Sequence, residues 1–105
     1  MIFTTVRLER PEGSVQATGI AVLIEQAATD EGERLDLGGA RPYDVFWISS
    51  VQGVPANPFQ RRDVLVDEHN SDPETGQLAV YRIAGVVETF DNDHQEAYCE
   101  RVVGA

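Results

Sequence analysis

Short apolar runs separated by turn-forming residues recur along the 105-residue chain. In IFTTVRLE (2–9), Ile2, Thr4, Val6 and Leu8 alternate with Phe3, Thr5, Arg7 and Glu9, the period of a strand with one buried face. PEGS (11–14) is turn chemistry, and VQATGIAVLIEQ (15–26) contains the apolar run Ile20 to Ile24, read as a buried strand. Ile20, Leu23, Ile24 and Ala27 also fit helical spacing, so a helix over 20–28 is the alternative there. AATDEGER (27–34) is polar and breaks the pattern. YDVFWIS (43–49) sets Tyr43, Val45 and Trp47 against Phe46 and Ile48, a strand expected to be covered on both faces, with Trp47 in the core.

SVQGVPANPFQRR (50–62) has no period and reads as a long loop. DVLVDE (63–68) and LAVYRIAGVVE (78–88) have strand composition, FDNDHQ (90–95) is a turn, and EAYCERVV (96–103) is a last strand. Asp93 with Glu96 resembles a capping box, so a short helix over 94–103 is the alternative. Regularly spaced short strands predict a mainly β protein, a small antiparallel β-barrel or sandwich of about six strands with long loops. The length predicts a single domain over residues 1–105.

Polar chemistry is densest in DEHNSDPETG (67–76). A calcium loop starting at Asp67 would need glycine at its sixth position and glutamate at its twelfth, where Asp72 and Ala79 stand. His69, His94 and the single Cys99 lack the short spacing of a zinc site. The turn reading accounts for more residues. Asp72 accepts from backbone two positions on, Pro73 fixes its own φ, and Gly76 supplies a left-handed residue. DPETG is therefore expected to be a hairpin tip, with Asp67, Glu68 and Glu74 as solvated charge.

Composition narrows the function. Eighteen acids against eight arginines and no lysine give −10, and residues 63–105 alone carry −8. Such a surface is unsuited to gripping DNA, although it could line a passage without adhering to what moves through it. Without lysine there is no phosphate-loop or Schiff-base chemistry. Ser14, Ser49, Ser50 and Ser71 lack a nucleophile elbow, and Cys99 reads as a small buried side chain. No enzyme, metal or cofactor is expected. The start of the chain has no secretory pattern and no run is long enough for a membrane helix, so synthesis in a cytoplasm is expected. Arg61-Arg62, the only adjacent basic pair, suggests contact with an acidic neighbour, with Phe59 as the buried anchor of that interface.

Residues 61–103 resemble the head-closure, or stopper, proteins between capsid and tail of long-tailed phages. In that group a DxLVDE strand leads through a DPxTG hairpin to a YRIxG strand, then a histidine-bearing loop and an ExYLERV-like strand. The counterparts here are Asp63–Glu68, Asp72–Gly76, Tyr81–Gly85, His94 and Glu96–Val103, and TGIAVLIE (18–25) is similar to the group's early strand. The chain departs in having Arg62 where a glycine commonly precedes the strand aspartate, and Cys99 in place of a larger apolar residue. The resemblance implies a virion protein of the neck, made in the host cytoplasm. Copies of it would form a ring that contacts portal or adaptor and tail proteins and helps retain packaged DNA, which passes through without tight binding. A polar loop with Asp30, Glu31 and Glu33 is the candidate to face the channel. Alternatives are another neck or tail-end ring protein and a free-standing acidic β-barrel that binds proteins.

Overall fold

The computed structural model describes residues 1–27, 45–88 and 93–102. They form six strands: β1 (Ile2–Glu9), β2 (Val15–Gln26), β3 (Val45–Ser50), β4 (Val64–Ser71), β5 (Leu78–Glu88) and β6 (Gln95–Val102). All pairings are antiparallel, and the sheet closes in the order β1-β2-β3-β6-β5-β4 with β4 returning to β1. Closure removes the exposed edges that a six-stranded open sheet would carry. Of the barrel or sandwich expected, the structure is the barrel, with six strands. Where a helix was the alternative, β2 and β6 are strands with a ladder on each side. Residues 28 and 103, at the ends of those two ranges, lie outside the described residues.

Alternation builds the interior. Thr4, Val6 and Leu8 of β1, Val22 and Ile24 of β2, Ala97 and Cys99 of β6 all point inward. With Ile48, Leu65, Ala79, Tyr81 and Ile83 the apolar ones among them form one core. Phe46 packs on this core and meets the Tyr81 ring edge-on, with centroids 5.2 Å apart. Burial, with Asp67 and Asp72 nearby, pushes the Tyr81 hydroxyl up to about 12. Val45 is buried as well, in keeping with cover on both faces of β3 at its start. Trp47, expected in the core, is instead half-buried on the outer face. Ile48 takes the inward phase, and Trp47 lies edge-on to Tyr98 at 5.7 Å. Tyr43 lies outside the described residues.

The turn at 10–14 closes through Arg10 N–H donating to Ser14 O and Gly13 N–H to Arg10 O, with Gly13 at φ 98°. The connection from β3 to β4 is different, because the two strands are not neighbours. It passes β6, where Phe59 N–H donates to Gln95 Oε1 at 2.9 Å, and then β5, where Arg62 N–H donates to Ile83 O. On the way it drops Phe59 into the barrel core, only 3% exposed. This overturns Phe59 as an anchor for a neighbouring subunit. The barrel's own interior is the nearest apolar volume, and the crossing places Phe59 over it.

Candidate functional site

The acidic stretch after LV in β4 is a structural knot. Asp67 was expected in solvent, yet it is fully buried. Its ladder partner on β1 is Val6, after which the β1–β4 pairing stops. On the β5 side Val66 pairs with Val80 and Ser71 with Leu78, so residues 67–70 bulge against Ala79 alone. Asp67 Oδ1 organises that bulge by accepting from His69 N–H (3.0 Å), Asn70 N–H (3.1 Å) and the Thr4 hydroxyl (2.9 Å). Asn70 Nδ2 donates to Asp67 Oδ2 at 3.0 Å. These bonds, invisible to a local reading, are what let a carboxylate sit inside.

Glu68 is also engaged, across the outer face of β1. Its Oε1 accepts from the Thr5 hydroxyl and from Gly19 N–H, each at 2.9 Å, so one side chain clasps β4, β1 and the bulge in β2. Because Thr5 gives its proton to Glu68, the 3.0 Å contact between Thr5 Oγ1 and His69 Nε2 requires Nε2 to donate. His69 is thus tied to a hydroxyl. No group of three or more His, Cys, Asp or Glu suited to a metal ion occurs among the described residues.

The hairpin tip is as expected. Asp72 Oδ1 accepts from Glu74 N–H at 2.8 Å, Gly76 N–H donates to Asp72 O at 2.8 Å, and Gly76 lies at φ 72°. Pro73 is exposed between them. Asp72 itself is buried and ion-paired to Arg101, which also holds Glu74 at 3.1 Å. Glu74 remains exposed, as expected.

Other candidate groups are similarly committed. The Ser50 hydroxyl donates to Gly53 O at 2.7 Å and accepts from Gln95 N–H at 2.9 Å. Cys99 is buried, and burial pushes its thiol far up, which leaves it unreactive. His94 stands between two carboxylates, with Nδ1 2.9 Å from Asp93 and Nε2 3.0 Å from Glu96. Glu96 therefore holds an imidazole where a helix cap was the alternative.

Two sets of surface residues remain. Arg61 and Arg62 are exposed beside a groove of about 600 Å³ lined by Pro58, Gln60, Gly85 and Tyr98. Among the described residues Arg7, Arg10, Arg82 and Arg101 are all ion-paired, whereas Arg61 and Arg62 have no side-chain partner. Arg62 is also the one described non-glycine residue with positive φ, at 77°. The second set was missed in the sequence. Phe3 occupies a polar-phase position of β1 and is 70% exposed, beside Leu23 on β2. Its place in the alternation was the available signal. Asp30, Glu31 and Glu33 lie outside the described residues.

Neither a protein-family model, nor a curated protein, nor a solved structure matches this chain.

Proposed function

We propose that the chain is a structural virion protein of the phage neck, a head–tail connector of the stopper kind. Copies would form a ring between portal or adaptor and tail and help keep packaged DNA in the head. The observation that carries this reading is apolar surface left on the outside of a closed barrel. Phe3, Val51 and Val87 are exposed in the outer phase of strands or strand ends whose inward faces already fill the core. Such surface, on so small a barrel, suits a protein that works in contact with others. The resemblance in residues 61–103 supplies the kind of assembly, and its elements fall on one continuous β4–β5–β6 unit. Eighteen acids and eight arginines suit a wall past which DNA moves without adhering.

Electron microscopy and sedimentation of the purified protein, alone and with tailless DNA-filled heads that lack it, test the proposal. Rings with a central opening, seated on the heads and slowing DNA loss, are expected. A protein that stays monomeric at every concentration and ignores the heads would end the reading.

A further inference from the structure

Among the described residues the charge pairing is nearly complete, and the exceptions are informative. Among carboxylates whose side chains are described, Glu25 alone has neither a hydrogen bond nor an ion pair. Among described arginines, only Arg61 and Arg62 lack a partner. In a chain of net charge −10 an unpaired arginine pair is unexpected, since acids outnumber arginines eighteen to eight. Arg62 is moreover held in the left-handed region, which a side chain adopts only at a cost in strain.

The two unmatched sets lie on different faces. Glu25 projects outward from β2 on the same side as Leu23, whose cross-strand partner is Phe3. Phe3 and Glu25 are thus diagonal neighbours, a few ångströms apart on one outer surface. Around the barrel the row through Glu25 continues to Trp47 on β3, Tyr98 on β6 and Gly85 on β5. Gly85 and Tyr98 floor the groove beside Arg61, with Pro58 on its wall. One face offers an exposed aromatic ring next to an anion. The other offers an aromatic and proline-lined groove next to two cations.

We infer that the Arg61–Arg62 groove of one copy receives the Phe3–Glu25 surface of the next, with Glu25 meeting the guanidinium pair and Phe3 lying against Tyr98 and Pro58. The surfaces differ, so the contact is head-to-tail and propagates from copy to copy, closing into a ring when the rotation allows. It gives the ring assembly proposed above, on which it rests, a specific contact. Tyr98 meets Trp47 edge-on and is laid over Gly85, so the groove is formed before the neighbour arrives.

Complementary charge reversal tests it. Glu25→Arg and the double variant Arg61→Glu/Arg62→Glu alter exposed side chains only, and thermal melts would check that each still folds. Each variant alone should associate about tenfold more weakly than wild type, or worse, in sedimentation velocity, because like charges then face each other. Mixing the two should restore assembly, since every contact in an alternating ring regains opposite charges. Phe3→Ser should weaken assembly of the wild-type charge pattern as well. If the wild type assembles and the variants assemble equally well, or their mixture stays dissociated, the contact is wrong while the ring stands. A wild type that remains monomeric at millimolar concentration removes both.

Discussion

The Thr4 hydroxyl donates to Asp67 Oδ1 at 2.9 Å, joining β1 to β4 where their ladder has just ended. Both residues are buried, and the same oxygen caps two backbone N–H groups of the bulge that follows. Asp67→Ala would leave those donors and the Thr4 hydroxyl without their acceptor. A loss of about 3 kcal/mol or more is expected, from several buried groups deprived of partners at once. Asp67→Asn keeps Oδ1 but turns a second donor toward Asn70 Nδ2, and should cost about half as much. Urea unfolding of the three proteins measures this. Equal stability of all three would mean that solvent satisfies the bulge.

Phe59→Ala should act on the monomer. Its ring sits in the barrel core, so truncation removes a large buried side chain, at a cost of about 3–5 kcal/mol. The loss should appear in unfolding experiments at any protein concentration. A variant as stable as wild type that failed only in assembly would return Phe59 to an intersubunit role.

Local chemistry was legible in the sequence, and long-range chemistry was not. The tip at Asp72, Pro73 and Gly76 needs only its own five residues, and its bonds follow the turn grammar. Asp67 looks the same in sequence as Glu74, and what separates them is Thr4, sixty-three positions away. The strands of β1, β2 and β5 were visible because alternation or branched apolar runs persist over their length. Trp47 was misplaced because β3 is apolar at four successive positions, and only its pairing sets which phase faces in. Phe59 was expected to be buried, and it is, but in its own barrel. Its destination depended on β4 lying beside β1, which no local pattern encodes. The polar stretch with Asp30, Glu31 and Glu33 falls outside the described residues.

Gly85 and Tyr98 make a pair that a double-mutant cycle can separate. They are cross-strand partners, and the Tyr98 ring occupies the space that a Cβ on Gly85 would fill. Gly85→Ala should therefore displace the ring from Trp47 and cost about 1–3 kcal/mol. In a Tyr98→Ala background the same substitution should be neutral or stabilising, because alanine suits a strand better than glycine. Additive effects in unfolding experiments would show that the ring does not depend on the glycine.

Arg62 stands at φ 77° in the turn closed by Asp63 N–H donating to Gln60 O at 3.1 Å. Arg62→Gly relieves the strain of a side chain in the left-handed region, and a gain of up to about 1 kcal/mol in stability is expected. If Arg62 works at an interface, the more stable variant should also assemble less well. A variant that is more stable and assembles normally would leave Arg61 as the working residue of the pair.

His94 should make the barrel more stable in mild acid than its carboxylate content alone would suggest. An ionised carboxylate only accepts hydrogen bonds, so both the Asp93 and the Glu96 contacts are satisfied together only when both ring nitrogens carry protons. The hydrogen bond to Glu96, followed by that to Asp93, raises the histidine above its ordinary 6.5. A group raised on folding gives its stabilisation in full below the unfolded value, and gives it up as pH climbs through the folded one. The melting temperature of wild type should therefore exceed that of His94→Gln most clearly near pH 5.5–6, and the gap should close above neutrality. Because the ring is near solvent, the gap should also shrink in high salt. A gap that is constant from acid to alkaline pH would assign His94 a packing role in place of a charged one.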